Sequence, residues 1–277
     1  MKERVTLTIE RSILEQIDNS IDGSKIKNRS HAVELLLRQA IGIDKPTKGV
    51  ILAGGDRTLK KDDTPKSLIE VKGKPLIQHN IELFKKYGIK DILISVCYKK
   101  EQVKDALGDG KKFGVNLTYI EEKNGLGTAG PLKQAKSQLK ETFVMCNADE
   151  LKEIDLNDML SFHHANKAMA TVALTTVRDV SNYGVALLNG NKIMAFMEKP
   201  DKDNAPSKLI NAGLYIIEPE VIDFIPEGFS RMEMDVFPKL ASEEKLCGYP
   251  FGGQWFDIES HKDVKKADIE WRGLNRK

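Results

Sequence analysis

The chain has 277 residues, 40% of them hydrophobic and 30% charged, with a formal net charge of +2. This suits a soluble globular protein of one large domain plus an appendage. It excludes a membrane-spanning chain, because no apolar run approaches the ~20 residues a bilayer requires.

The N-terminus MKERVTLTIE lacks the features of a secretory signal. Cys97, Cys146 and Cys247 are scattered without metal-ligand spacing. They read as buried or free thiols in a reducing compartment, so a cytoplasmic location is expected. In 4-RVTLTI-9, apolar Val5, Leu7 and Ile9 alternate with Arg4, Thr6 and Thr8, the period of a half-buried strand. A helix is expected over 11–23, with Ser12 and Glu15 as a capping box and Gly23 as its stop. A second is expected over 28–42, capped by Ser30, with Val33, Leu36, Leu37 and Ile41 on a broad apolar face. One strand and two helices are too small for a core of their own, so a second copy or the remaining chain must bury these faces.

This pattern resembles the ribbon-helix-helix family of DNA-binding proteins. The resemblance implies a dimer, or a higher homo-oligomer, whose paired strands enter the major groove of double-stranded DNA. Arg4, Thr6 and Thr8 would then read bases, and the amides near Arg29 and Ser30 would seat a phosphate. The alternative for residues 1–43 is dimerisation alone.

After a polar linker, 44-DKPTK-48, an α/β rhythm begins. Strands are expected at 49–53, 91–98, 116–120 and 142–149, separated by helices near 75–87, 100–107 and 129–139. A helix at 155–166 and a strand at 169–177 follow, then hairpin strands at 184–188 and 192–198, a strand at 208–218 and a basic C-terminal helix at 261–277. Strands alternating with helices imply right-handed crossovers and a mixed, mostly parallel, Rossmann-like sheet. Residues 49–150 and 151–260 would form the two halves of this domain.

The glycine pair of 52-LAGGDRTL-59 follows the first strand, placing bare amides at the carboxyl edge of the sheet, where nucleotides bind. Alone such a pair is equally a tight turn. Arg57 and Lys66 add cations suited to a triphosphate, whereas Lys60 and Lys61 read as solvated surface. The turn 125-GLGTAGPL-132 is either a seat for base and ribose or a plain connection. Asp149 ends an apolar strand and Asp257 follows another apolar stretch; each is either a Mg²⁺ ligand or a helix cap.

In order and spacing, LAGG, 65-PK-66, 147-NAD-149, 198-EKP-200, 211-NAG-213 and 255-WFDI-258 resemble the sugar-1-phosphate nucleotidyltransferases, the NDP-sugar pyrophosphorylases. The resemblance covers residues 49–260. It implies a GT-A-like domain joining an NTP and a sugar 1-phosphate, such as glucose or mannose 1-phosphate, into an NDP-sugar and pyrophosphate. By position, Arg57 and Lys66 would hold the triphosphate, and Asp149 and Asp257 would hold Mg²⁺. Lys199 would aim the sugar phosphate. Leu52, Ala53, Gly54, Gly55, Gly127 and Thr128 would line the nucleotide, and Gly184, Glu198 and Asn211 would meet the sugar.

This chain departs from that pattern in several places. The nine residues 56–64 make a shorter loop than the family's, without its Gly-Thr-Arg glycine. Ala148 and Glu259 stand where the family has glycines, and Asp56 places a negative charge beside the triphosphate. A competing reading is a transcriptional regulator whose transferase domain only senses a nucleotide or sugar phosphate.

Overall fold

The computed structural model describes residues 3, 5–23, 26–40, 45–55 and 64–274. Arg4, Asp56 and Arg57 lie outside these residues. The chain divides into two compact units, Met1–Lys45 and Pro46–Lys277, close to the division expected at the 44–48 linker.

The first unit holds helices α1 (Arg11–Asn19) and α2 (Arg29–Ala40). Residues 5–10, which cover most of the stretch expected as a strand, adopt no strand in the single chain. The expected capping box is not formed. Glu10 occupies the N-cap without a side-chain bond, Ser12 lies inside the helix, and Glu15 accepts instead from Arg11 at 3.2 Å. Asn28 rather than Ser30 caps α2: its Oδ1 accepts from the His31 amide at 2.9 Å. Arg29 donates twice to the Asp18 carboxylate, at 2.7 and 2.6 Å, tying the start of α2 to α1. Ile17 and Ala32 are buried, but Val5, Leu7, Ile13, Leu36 and Leu37 remain 47–71% exposed. This unit therefore leaves much of its apolar surface uncovered.

The second unit is built in chain order from β1 (Lys48–Ala53), β2 (Glu70–Val71), β3 (Lys74–Pro75), α3 (Leu76–Lys86), β4 (Asp91–Val96), α4 (Lys100–Leu107), β5 (Asn116–Glu121) and α5 (Gly130–Gln134). There follow β6 (Phe143–Asn147), β7 (Glu150–Lys152), α6 (Leu156–Ala165), β8 (Ala170–Thr176), β9 (Gly184–Asn189), β10 (Lys192–Glu198) and β11 (Leu209–Ile217). The unit ends with α7 (Phe237–Ser242), β12 (Leu246–Pro250), β13 (Trp255–Asp257) and α8 (His261–Glu270). A nine-stranded sheet runs in the order β5-β4-β1-β6-β11-β8-β12-β10-β9. Its first four strands pair in parallel. Beyond them the ladders are antiparallel except β8 with β12. The sheet is thus mixed rather than mostly parallel, with a parallel block of β5, β4, β1 and β6 and one further parallel ladder, β8 with β12.

Strands β1, β4 and β6 are near-continuous apolar runs because helices cover both faces of a parallel sheet. Two large clusters fill those faces, one around Val50, Met145, Tyr215 and Phe237, the other around Ile51, Phe84, Ile94 and Cys146. Helix α5 is shorter than expected, since its last turns loosen after Gln134. Helix α8 stops at Glu270, where Trp271 turns inward and is buried.

Candidate active site

Strand β1 delivers Leu52 and Ala53 to the carboxyl edge of the sheet, and Gly54 and Gly55 follow at once. Gly54 is required by a close approach, since a Cβ there would lie 2.5 Å from Glu122 Oε1. Glu122 is itself buried, accepting from the Ser95 hydroxyl and from the Leu126 amide at 2.5 Å. That second bond ties the glycine pair to the turn carrying Gly127 and Thr128. Thr128 in turn donates to Glu233 at 2.6 Å and accepts from the Met232 amide at 2.9 Å.

The acidic cluster forms where β6 ends. Asp149 sits in the turn between β6 and β7. The small antiparallel pair β7–β13 sets Asp257 directly opposite Glu150, so a residue 108 positions downstream arrives beside Asp149. One carboxylate oxygen from each of Asp149, Asp257 and Glu259 lies within 4.8 Å of the others. Lys66 enters from the 3₁₀ turn behind Pro65. It is 6% exposed, and its Nζ stands 2.7 Å from Glu259 Oε1 and 3.5 Å from Asp149 Oδ2. Burial alone would lower its pKa, but Asp149, Glu259 and Asp257 together raise it, so the lysine stays charged. Burial also pushes Asp257 upward, reinforced by the negative charges of Glu150, Asp149 and Glu259. Hard carboxylate oxygens gathered this closely fit a divalent cation, which would relieve their repulsion.

The turn that presents Asp149 is gripped from both sides by residues with no apparent motif in the sequence. Buried Asn80 of α3 donates to the carbonyls of Ala148 at 3.3 Å and Glu150 at 3.0 Å. Lys152, wholly buried, reaches the Gly213 carbonyl at 3.1 Å and lies 3.6 Å from Glu150 Oε2. Glu150 also accepts from Asn147 at 2.8 Å and Trp255 Nε1 at 3.0 Å. Gly213, at φ 58°, lies in the β11 bulge, where a Cβ would meet Glu150 Oε1 at 2.2 Å. This explains the glycine of NAG. Asn211 turns inward: its Oδ1 accepts from the Gly213 amide at 3.0 Å and its Nδ2 donates to Tyr215 at 2.8 Å. Much of its hydrogen-bonding capacity therefore serves the bulge.

The hairpin β9–β10 carries Gly184 and Glu198, with exposed Lys199 just beyond it. Lys199 adopts a left-handed backbone, φ 46°, and its amide donates to the Tyr183 carbonyl at 3.0 Å. A non-glycine residue in that region marks a constrained position. Tyr183 links this hairpin to the cluster: Trp255 packs edge-on at 5.5 Å, and the phenol pKa, raised first by burial, is raised further by Asp257. Burial raises the Glu198 carboxyl, with further repulsion from Glu233. Glu233 itself lies in a π-helical turn, Met232–Val236, and accepts from Tyr215 at 3.3 Å. The sequence reading missed Asn80, Glu150, Lys152, Tyr183 and Glu233 as site residues. Only Glu150, next to Asp149, carried any motif signal.

The profile of the family described as Nucleotidyl transferase matches residues 48–271. The mannose-1-phosphate guanyltransferase 2 of Candida glabrata is 39% identical over 226 residues, covering 78% of this chain and 62% of its own length. The mannose-1-phosphate guanyltransferase of Saccharomyces cerevisiae is 38% identical over 232 residues, covering 80% of this chain and 64% of its own length. The chain thus spans less than two thirds of the length of these relatives. A solved structure from Bacillus anthracis, assigned as a glucose-1-phosphate thymidylyltransferase in complex with a sucrose, superposes with a TM-score of 0.74. The two are 26% identical, and the alignment covers 83% of this chain and 97% of that one. Among the described residues no helix is long and apolar enough to cross a membrane. The matched region contains the sheet, the glycine pair and the Lys66–Asp149–Asp257 cluster, and the chain belongs to the nucleotidyl transferase family.

Proposed function

We propose that the chain is a sugar-1-phosphate nucleotidyltransferase that joins mannose 1-phosphate to GTP, releasing pyrophosphate. The observation that carries this reading is the convergence of Lys66, Asp149 and Asp257 at the carboxyl edge of the sheet. The guanyltransferase relatives favour the substrate pair.

An oxygen of the sugar phosphate attacks the α-phosphorus of the nucleotide; the new P–O bond forms as the bond to the β-phosphate oxygen breaks, and pyrophosphate leaves. The attacking oxygen is already anionic, so no general base is needed, and catalysis consists of positioning and charge neutralisation. Lys66 supplies a buried positive charge to the triphosphate, with Arg57 assigned to the same task. Mg²⁺ held by Asp149 and Asp257 would neutralise charge on the α-phosphate. The Gly54–Gly55 amides and the Gly127–Thr128 turn receive the nucleotide, while Lys199, on its fixed backbone, orients the sugar phosphate. Gly184 and Glu198 are assigned to the sugar, with Asn211 contributing through the β11 bulge it braces. The test is chromatographic detection of GDP-mannose after incubation with GTP, mannose 1-phosphate and Mg²⁺. Its formation supports the reading; saturable GTP binding without any nucleotide sugar, across all four NTPs and several sugar 1-phosphates, would favour a sensor instead.

We further infer that the first unit dimerises as a ribbon-helix-helix module on double-stranded DNA. The exposure of Val5, Leu7, Leu36 and Leu37 in a single chain supports dimerisation. Exposed Thr6 and Thr8 remain the base-reading candidates beside Arg4. The pairing of Arg29 with Asp18 assigns Arg29 to shaping the α2 start, leaving the amides near Ser30 for the phosphate. Gel-shift selection from random DNA tests this, and retention of no sequence at physiological salt would leave dimerisation as the module's role.

A further inference from the structure

A cavity of about 520 Å³ in the transferase unit shares no lining residue with the candidate active site. It is walled by the β2–β3 hairpin, by α3 and by the chain just beyond α8. Lys72, Lys74, Lys86 and Arg272 bring four cations to it against the single carboxylate of Glu82. Glu82 accepts from Lys74, at 2.8 and 3.0 Å. The Lys72 and Lys86 ammonium groups donate to backbone carbonyls, those of Ile269 and Leu274. Asp268 accepts from the Lys72 amide at 2.6 Å, holding the hairpin to α8. Among the described residues no carboxylate pairs with the side chains of Lys72, Lys86 or Arg272. Trp271 supplies a second, independent sign. It lines the cavity, is 4% exposed, and its indole N–H has no hydrogen-bond partner. Buried N–H groups are almost always paired, so an orphan in a cavity wall points to an acceptor from outside the chain.

We propose that this cavity binds a phosphorylated small molecule. The phosphate lies among Lys72, Lys86 and Arg272, where a dianion meets cations without acids and the guanidinium offers a two-pronged contact. An oxygen of the ligand accepts from Trp271 Nε1. Small-molecule pockets span about 300–1,000 Å³, and inorganic phosphate alone fills little of this one, so an organic body occupies the rest. The site is also placed to be felt by the reaction. Trp271 belongs to one packed cluster with Leu151 and Ile258, the chain neighbours of Glu150 and of Asp257 and Glu259. Helix α3 carries Glu82 and Lys86 of the cavity wall and also Asn80, which grips the Asp149 turn. Occupancy is therefore coupled to the carboxylate cluster; this second step alone rests on the transferase reading.

The full chain has two tryptophans, so two indole N–H resonances report on it, and the one that survives in Trp255→Phe belongs to Trp271. Ribose 5-phosphate is expected to shift the Trp271 signal saturably, with an affinity about tenfold tighter than that of inorganic phosphate. Lys86→Met combined with Arg272→Met is expected to weaken binding of both probes about tenfold. Arg272→Met alone, at an exposed side chain, should weaken it in the same direction should the double variant fold poorly. Lys66→Met is expected to leave the titration unchanged. No shift with either probe, or wild-type affinity in the double variant, would overturn the site. Loss of the shift in Lys66→Met would place the phosphate in the active site instead, and equal affinity for the two probes would overturn the organic ligand. Saturating ribose 5-phosphate should also change the rate of GDP-mannose formation about fivefold in wild type and not in the double variant. An equal change in both would mean competition at the active site, and no change in wild type would overturn the coupling. The titration needs no turnover, so an inactive chain that still binds would count against the transferase reading and not against the cavity.

Discussion

The two units of this chain bury their apolar residues to different degrees. In the transferase unit, the strands beside the active site are sealed on both faces, and residues such as Val50, Ile51 and Met145 have no exposed surface. In the N-terminal unit only Ile17 and Ala32 are buried among the described hydrophobic residues, while Leu36 and Leu37 of the second helix stay about half exposed. A large sheet with helices on both faces can exclude water by itself; two short helices cannot. The lesson is that one unit seals its own core, while the other leaves large apolar side chains such as Leu36 and Leu37 exposed.

If the chemistry belongs to the self-contained unit alone, Asp149→Asn should lower turnover by about 100-fold or more, equally in the full chain and in a 46–277 truncation. Unequal losses would show that the first unit takes part in the reaction. The core should be equally intolerant: Lys152→Ala leaves Glu150 buried without its cation and should cost about 3–5 kcal/mol, read by chemical denaturation, whereas Lys152→Met should cost less. Equal losses in the two variants would mean that side-chain volume, and not the Glu150 pairing, matters there. Asn80→Ala should cost about 1–3 kcal/mol by leaving the carbonyls around Asp149 unbonded, and should lower kcat more than it raises KM. The smallest effect on the transferase unit is expected from Leu36→Glu combined with Leu37→Glu. Sedimentation should show a shift towards monomer, while the main melting transition and turnover stay within about twofold of wild type; an unchanged assembly would break the contrast drawn between the units.

The transferase unit was legible in the sequence where one element carried its own signal. The glycine pair after β1, Asp149 at the end of β6 and the apolar parallel strands follow from local pattern. Asp257 was marked by the apolar stretch before it and by motif order, but its place beside Asp149 depends on the β7–β13 pairing, which joins two very short strands across a long stretch of chain. Asn80 and Lys152 gave no signal at all. A buried asparagine on a helix and a buried lysine in a three-residue strand look like surface residues until the turn they grip is in place. The N-terminal helices were legible from period, but their caps were not. Asn28, two positions before Ser30, is the residue that caps α2, and the strand expected at 4–9 is absent over the described residues 5–9.

The central claim, that the Lys66–Asp149–Asp257 cluster transfers a nucleotidyl group, is tested most directly by pyrophosphate release. With GTP, mannose 1-phosphate and Mg²⁺ together, wild-type chain should release pyrophosphate continuously, omission of either substrate should stop it, and Asp149→Asn should be nearly silent. Wild-type rates in Asp149→Asn, or no release with any nucleotide and sugar phosphate, would contradict the account.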